Sequence, residues 1–317
     1  MALKNPENAE NPGRASDSTA FGLLLALAGF ACLSMGDGII KSMAGEWPGL
    51  AVAALRYSIG SLGLLLLLLM IEGRKALRCP RPWVQLGRGV SVAFATLFFF
   101  SSIFVMPLAD ATAIQFTAPM ITAILSTLLL GERMPRITWY ATAIAFLGML
   151  LVLRPNIFDL GWVVLLPIGA AICFSFTIIF NRMAAGSGSG LLMQVLISAI
   201  ATPVLIAATA IGHFSGVESL TVAMPDWSVI ARCALVAVTA SFSHWLVYMA
   251  TTKASAAETA PMVYVQLLTA VAIGVLFYGD YPDPLALAGA ALIIGAGLWL
   301  WNRQRRSAAI RTRHIPK

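Results

Sequence analysis

A few ionisable residues in this 317-residue chain stand within long apolar runs, where their side chains could do chemistry. Arg56, followed by Tyr57, carries a planar fork of N–H donors that suits a carboxylate or a phosphate. His244, followed by Trp245, can gain or lose a proton near neutral pH. These residue types indicate binding of an anionic cargo or proton coupling. The alternatives are a structural ion pair for the arginine and an interhelical hydrogen bond for the histidine.

Asp37 and Lys41 are four residues apart, so on a helix they share one face and could form an ion pair. We expect them to act in coupling or gating. The alternative is an interfacial salt bridge whose lysine reaches outward to water, and Asp37 is also a candidate partner for Arg56.

Amide, phenol and proline residues within other apolar runs could line a binding cavity. Gln115, Tyr264 and Gln266 are predicted to bind the cargo, although side chains of these types more often join helices by hydrogen bonds. Pro119 and Pro261 interrupt backbone hydrogen bonding and are predicted gating positions; in membranes such prolines are also tolerated without function.

Catalytic and cofactor motifs are missing from the sequence. It contains no GxSxG, no HExxH and no GxxxxGK[ST] phosphate loop, so an enzyme or an ATP-driven pump is disfavoured. A second histidine within an apolar run is also missing, which disfavours a metal site. We therefore expect no catalytic residues, no metal and no cofactor.

The elements that must position these residues are membrane helices. Hydrophobic residues make up 59% of the chain and charged residues 11%, with a mean hydropathy of +0.85, which excludes a soluble domain. Crossing the hydrocarbon takes about 20 apolar residues. Ten runs meet that requirement: 20–40, 50–71, 89–106, 111–130, 137–153, 160–180, 191–211, 229–250, 257–278 and 285–301.

The basic residues orient these runs. With the N-terminus inside, 17 of the 21 lysines and arginines fall on the cytoplasmic side; three, Lys41, Arg154 and Arg232, fall outside, and Arg56 lies within a run. This predicts a multi-pass protein of the bacterial inner membrane with both termini in the cytoplasm. The net charge of +7 follows from this asymmetry and from contact with the lipid bilayer, so nucleic acid is not an expected partner.

The two halves of the chain resemble each other. GFACLSMGDGIIKSMA from Gly29 resembles GAAICFSFTIIFNRMA from Gly169, and ILSTLLLGERMPRITWYATAIAFLGMLL from Ile124 resembles AIGVLFYGDYPDPLALAGAALIIGAGLW from Ala272. Each half contains five predicted helices, so the second must enter the membrane in the opposite sense. The predicted fold is an all-α integral membrane protein with ten transmembrane helices in two inverted-topology five-helix repeats. This is an architecture of secondary transporters.

The segments LLLGERMPRITWYATAIAFLGMLLVL and LFYGDYPDPLALAGAALIIGAGLWL resemble the drug/metabolite transporter superfamily and its EamA-type members. The resemblance extends from about Ala20 to Trp301. It implies carriage of small organic metabolites across the inner membrane, as an exporter of amino acids or as an importer of compounds such as riboflavin or S-adenosylmethionine. The second half departs from the pattern, with Asp280 in place of the glutamate.

We therefore predict a secondary transporter of an amino acid or related small metabolite that works by alternating access. A vitamin- or nucleoside-type importer of the same fold is the alternative; from other classes, a membrane enzyme or a channel remains. Its expected partners are a small-molecule substrate and the bilayer, and a homodimer is left open. The predicted division is a disordered N-terminus (1–19), a first repeat (20–153), a second repeat (154–301) and a basic cytoplasmic tail (302–317).

Overall fold

The computed structural model describes residues 12–130, 136–153, 161–184, 186–253 and 260–313, and within these ranges it contains helices, turns and irregular chain but no strand. The α-helices, numbered in chain order, are α1 (Pro12–Lys41), α2 (Gly49–Ile71), α3 (Pro82–Val105), α4 (Leu108–Gln115), α5 (Ala118–Leu130), α6 (Arg136–Leu153), α7 (Leu165–Ala184), α8 (Gly190–Phe214), α9 (Trp227–Lys253), α10 (Val265–Ile273) and α11 (Pro284–Arg313).

Six stretches of described helix are long and apolar enough to cross a membrane: Phe21–Lys41, Gly49–Ile71, Pro82–Val105, Gly161–Ala184, Gly190–Phe214 and Trp227–Val247. Three shorter apolar helices accompany them, Trp139–Gly148, Met262–Tyr278 and Pro284–Trp299. The chain is thus an all-helical, multi-pass membrane protein.

Helix boundaries differ from the predictions at several ends. Helix α1 begins at Pro12, within the segment predicted to be disordered, and α11 continues to Arg313, within the predicted tail. Proline suits a first helical position, and both extensions prolong an apolar helix that packing already stabilises. Residues 1–11 and 314–317, and the predicted repeat boundary at 153–154 beyond Leu153, lie outside the described residues.

The fourth and ninth predicted spans are broken rather than continuous. The fourth divides into α4 and α5 at Phe116 and Thr117. The ninth begins as a 3₁₀ helix (Ala260–Tyr264), continues as α10 and ends as a π-helix (Gly274–Tyr278). Pro119 and Pro261 occupy the second positions of α5 and of the 3₁₀ helix, where a missing N–H leaves no helical hydrogen bond unmade.

Corresponding helices of the two halves pack antiparallel in two places. At one end of α2, the Thr209 hydroxyl of α8 donates a hydrogen bond to the Leu50 carbonyl oxygen at 2.9 Å. At the other end of α2, Leu68 packs in one cluster with Val195 from the start of α8. The beginning of each helix therefore lies beside the end of the other.

Helices α6 and α11 show the same antiparallel relation. A Cβ at Gly148 of α6 would lie 2.7 Å from the Gly289 carbonyl oxygen near the start of α11. Ala145, earlier in α6, packs with Ala296, later in α11. Both contacts need small residues because the two backbones approach closely.

The remaining helix contacts repeat between the halves. Helix α1 packs on α9 as α7 packs on α3, and α1 contacts α10 as α7 contacts α5. Helix α9 also contacts α2, as α3 contacts α8. The largest buried apolar cluster lies where α1, α2, α3, α8 and α9 meet, and it surrounds the charged residues described next.

Candidate functional site

Opposite charges meet in the interior between α1, α2 and α9. Arg56 lies two turns into α2 and is half-buried. Its guanidinium is close enough to act electrostatically on Asp37 of α1 and on His244 of α9. Three residues singled out in the sequence are therefore brought together from three helices.

Within the part of the chain that the structure describes, neither Arg56 nor Asp37 takes part in a salt bridge. Among the described residues, no carboxylate oxygen lies within salt-bridge distance of Arg56, and the Asp37 carboxylate receives neither an ion pair nor a hydrogen bond. The structure therefore forms neither the Arg56–Asp37 pair nor the Asp37–Lys41 pair considered from the sequence. A charge at membrane depth costs about 2.5 to 3.5 kcal/mol on insertion scales, so Arg56 and Asp37 are candidate functional residues.

Aromatic rings rather than an acid contact the arginine. The Arg56 guanidinium carbon lies 5.0 Å from the centre of the Tyr57 ring and 5.3 Å from that of Phe100 on α3. The Tyr57 hydroxyl is 3.0 Å from the hydroxyl of Thr96, also on α3. Both distances to the rings are within the range of cation–π interactions.

One face of α9 shows from which side the charged interior can be reached. Cys233, Ala237, Ala240 and His244 follow one another at helical spacing and so share a face. The first three are buried, at 0%, 6% and 9% exposure, whereas His244 is exposed. The interior is therefore closed toward Cys233, whereas His244 marks a part of this face that is not packed against neighbours.

Contacts at the end of the bundle that contains Lys41, called here the Lys41 end, account for this closure. Lys41 forms a salt bridge with Asp280, which follows the π-helix, and donates a hydrogen bond to the Met106 carbonyl oxygen at 3.4 Å. The Tyr278 hydroxyl donates to the Gly38 carbonyl oxygen at 2.6 Å. The predicted partner of Lys41, Asp37, is thus replaced by a residue remote in sequence, because the chain after α10 passes over the end of α1.

A second, more exposed ion pair lies beside the first. Arg232, near the start of α9, donates to Glu46 in the loop after α1 and to the Ser42 carbonyl oxygen at 3.0 Å. The hydrogen bond from Arg232 holds the pKa of the Glu46 carboxyl below its usual value. These contacts fasten α9 to the end of α1.

The broken spans meet in a second buried cluster. The Phe116 and Tyr264 rings, one from each break, lie edge to face with centres 5.6 Å apart. The Gln115 side-chain oxygen is buried without a hydrogen-bond partner among the described residues. Gln266 accepts a hydrogen bond from Ser34 of α1, but through its backbone carbonyl. The cluster thus joins the two halves, and the Gln115 side-chain oxygen is a hydrogen-bond acceptor without a partner among the described residues.

Tyr264 owes its position to a glycine. Its hydroxyl lies against Gly297 of α11, where a Cβ would overlap it, while Gly295 has no atom near its Cβ position. The phenol therefore packs between α11 and Phe116, in the second cluster, whereas the rings recorded at Arg56 are those of Tyr57 and Phe100.

Trp245 does not face the interior with its neighbour His244. Its ring stacks on Phe242 with centres 5.8 Å apart, and both side chains are about half exposed, like Leu235 and Val238 on the same side of α9. One residue along a helix turns the side chain by about 100°, which separates adjacent residues onto different faces. The structure therefore places Trp245 on a different face of α9 from His244. The side chains of Pro119 and Pro261 lie outside the described set.

Arg88, which directly precedes the predicted run 89–106, lies inside α3 and is only 6% exposed. Its Nε donates to the Asn181 side-chain oxygen of α7 at 2.6 Å, and its Nη1 donates to the Gln85 side-chain oxygen and to the Met193 sulfur of α8. These contacts join three helices at what we call the Arg88 end, opposite the Lys41 end.

An apolar groove is separate from the charged interior. It has a volume of about 470 Å³ and lies between α2 and α8 near the Lys41 end. Its walls are mostly apolar and include Trp47, Ala51, Thr209 and Phe214. Such a lining suits hydrocarbon rather than a charged cargo.

Sequence reasoning missed Phe100, Thr96 and the pairing role of Asp280. Phe100 lies in a run of three phenylalanines, where nothing in the sequence separates one ring from the next. Asp280 carried a signal, since it matches the GE element of the first half. Among the described residues there is no group of three or more His, Cys, Asp or Glu side chains that could hold a metal ion.

Similar proteins are transporters of small molecules. The S-adenosylmethionine uptake transporter of Rickettsia prowazekii (strain Madrid E) is 26% identical over 279 residues, which cover 86% of this chain and 90% of the relative. The riboflavin transporter of Rhizobium johnstonii is 26% identical, covering 74% and 75%. The pseudopaline exporter CntI of Pseudomonas aeruginosa is 25% identical, covering 87% and 94%.

A solved crystal structure has the same fold, with a TM-score of 0.57 and 18% identity over 92% of this chain and 98% of that one. The model of the EamA-like transporter family matches residues 20–154 and again residues 161–302, so both halves carry the family pattern. The predicted resemblance is confirmed, and the chain belongs to the EamA-like transporter family.

Proposed function

We propose that this membrane transporter is a secondary carrier that moves a small zwitterionic metabolite, an amino acid or a related compound, across the bacterial inner membrane by alternating access. The observation that carries the proposal is that Arg56 and Asp37, which can carry opposite charges, form no salt bridge with any residue that the structure describes. A cargo with a carboxylate and a cationic group would satisfy both at once.

The two halves act in this proposal as inverted repeats of five membrane helices each, the divided fourth and ninth spans included. The antiparallel packing of α2 on α8 and of α6 on α11 supports it, as do the contacts repeated between the halves. Exchanging the conformations of two such halves converts an opening on one side of the membrane into an opening on the other.

We assign the Lys41 end to the periplasm and the Arg88 end to the cytoplasm, with both termini inside, because basic residues collect at the Arg88 end. On this assignment the structure is closed outward and open inward: the Lys41–Asp280 pair lies on the closed side and exposed His244 on the open one. Lys41 then acts in gating, and Asp37 in binding.

Flux into proteoliposomes tests the proposal. Labelled S-adenosylmethionine, which carries a carboxylate and an ammonium, is compared with labelled riboflavin and with a panel of α-amino acids. Saturable uptake of the zwitterions that exchanges against unlabelled cargo supports the carrier. Unsaturated conductance would indicate a channel, chemical change of the cargo an enzyme, and uptake of riboflavin alone the vitamin-type alternative; each of these outcomes would overturn the proposal.

A further inference from the structure

The surroundings of Arg56 are unusual for a charge at membrane depth. A buried arginine is ordinarily held by an acid. Here its guanidinium instead lies over the Tyr57 and Phe100 rings, at 5.0 and 5.3 Å, and no described carboxylate is within salt-bridge distance. The rings therefore stabilise part of the positive charge that a counter-ion would otherwise stabilise.

Both rings are anchored to α3. Phe100 is only 3% exposed and belongs to the large cluster of α1, α2, α3, α8 and α9, so its ring has little freedom to move. Thr96, one turn earlier on the same face of α3, is 8% exposed and holds the Tyr57 hydroxyl at 3.0 Å. One helix thus fixes the positions of both rings relative to the guanidinium.

A ring contact and a carboxylate contact use different parts of the arginine. The negative face of a ring attracts the charge of the guanidinium as a whole, whereas a carboxylate takes up N–H donors in the guanidinium plane. An arginine held by rings keeps those donors free. An arginine held by Asp37 would lose them, and the acid would also lose its capacity to bind a cation.

We propose that Phe100, together with the Thr96–Tyr57 contact, forms an aromatic cradle that positions Arg56 and thereby determines the specificity of the site for the anionic group of the cargo. Phe100 is a positioning residue, since it acts through Arg56. The role in specificity rests on the proposed function, whereas the cradle itself is a property of the free protein.

Thermal unfolding of the purified protein without cargo tests the cradle directly. Arg56→Gln, Phe100→Leu and the double variant form a double-mutant cycle. We expect Phe100→Leu to lower Tm by a larger amount in the wild-type background than in the Arg56→Gln background, because only the former contains a cation over the ring. Phe104→Leu is the matched control, since this ring lies one turn further along α3 and packs on Gly49. Its effect should be the same in both backgrounds.

If the effects of Arg56→Gln and Phe100→Leu on Tm are additive, as is expected for Arg56→Gln with Phe104→Leu, the cradle is overturned. Phe100 is then an ordinary core residue. A second cycle of Thr96→Val with Tyr57→Phe tests the hydroxyl contact in the same way. If these two substitutions do not couple, the anchoring of Tyr57 to α3 is wrong.

Transport kinetics with labelled S-adenosylmethionine test the specificity role. We expect Phe100→Leu to raise KM by about tenfold. The maximal rate should be largely retained, because the rings act on binding rather than on the movement of the halves. Phe100→Tyr, which keeps the ring face, should restore KM toward the wild-type value; a merely structural role would lower the maximal rate with KM unchanged.

The unfolding cycles and the transport kinetics test different parts of the proposal, and either can fail without the other. If the wild-type protein takes up no S-adenosylmethionine, the proposed cargo class is in error, and the unfolding cycles still decide whether the cradle exists. If uptake is saturable but KM does not respond to Phe100→Leu, the specificity role is overturned while the carrier function stands.

Discussion

The charges at the Lys41 end and the charges in the interior are arranged in opposite ways. At the Lys41 end, Lys41 is paired with Asp280 and Arg232 with Glu46, and each pair joins the end of α1 to a different segment. In the interior, Arg56 and Asp37 are near each other but form no salt bridge among the described residues. Paired charges fasten two parts of a protein together, whereas unpaired ones are available to a ligand.

The free-energy cost of each arrangement depends on whether the charges are accessible to water. A pair with access to water contributes little free energy and can break and form again easily, which suits a closure that must open. An unpaired charge at membrane depth is costly, so it persists only where something compensates it. The comparison therefore separates residues that hold a conformation from residues that bind the cargo, and four predictions test it.

The largest effect is expected at Arg56. Replacing it with leucine should lower transport by about a hundredfold or more while the protein stays folded and inserted, because the anionic group of the cargo loses its partner. Uptake into proteoliposomes measures the loss, and detergent extraction with gel filtration checks folding. Arg78→Leu, an exposed arginine before α3, is the control and should transport normally. Normal uptake by Arg56→Leu would remove this residue from the site.

The two acids should respond differently to the same substitution. Asp37→Asn should raise the KM for a zwitterionic cargo by about tenfold, since the amide no longer attracts the cationic group. Asp280→Asn should leave KM close to the wild-type value, because this acid contacts Lys41 and not the cargo. Concentration-dependent uptake measures both constants. Equal increases in KM for the two variants would contradict the distinction between an acid that closes the Lys41 end and an acid that binds the cargo.

Asp280→Asn should instead open the Lys41 end. Cys233 is fully buried on the α9 face below the closure, with its sulfur 3.8 Å from that of Met43. Loss of the salt bridge should raise its labelling by a membrane-impermeant maleimide about fivefold, equivalent to about 1 kcal/mol in the opening equilibrium.

The labelling is done on intact cells in a background lacking Cys32 and Cys173, with the exposed Cys79 as the internal control. Cys79 precedes α3 at the Arg88 end and should stay unlabelled from outside. Labelling of Cys79 would contradict the assigned orientation, and unchanged labelling of Cys233 would contradict the role of Asp280 in closure.

The smallest effect is expected at the exposed pair. Glu46→Gln should change transport and Tm little, because Arg232 keeps its hydrogen bonds to Ser42 and Ser228. Arg232 lowers the pKa of Glu46, so the contribution of this carboxylate to stability is present at neutral pH and is lost as the pH falls through the lowered pKa. Thermal unfolding at several acidic pH values should show wild type and variant converging. A constant Tm difference into strong acid would assign the effect to another cause.

Hydropathy predicted the helices well where they are regular and less well where they are broken. Continuous apolar runs gave α2, α8 and α9 within a few residues, since apolar length is a property of consecutive residues. The division at Phe116 and Thr117 was not predicted, because both residues are compatible with a continuous helix. Pro119 indicated a break in this span but not its position.

The site was predicted unevenly for a related reason. Arg56, Asp37 and His244 stood out because a charged or titratable residue is rare in an apolar run, and the structure brings them together. Trp245 was included only because it adjoins His244, and the helical turn placed it on another face. Phe100 gave no signal, since its importance depends on which ring of α3 faces α2.

The sequence by itself determined that the chain spans a membrane several times, that its halves are related, and that Arg56 lies at membrane depth, because hydropathy, repetition and residue type are read along the chain. Only the tertiary structure decided that Lys41 pairs with Asp280 and that aromatic rings hold Arg56. The Lys41–Asp280 and Arg56–Phe100 contacts join residues far apart in sequence, and their distances are set by how the helices pack.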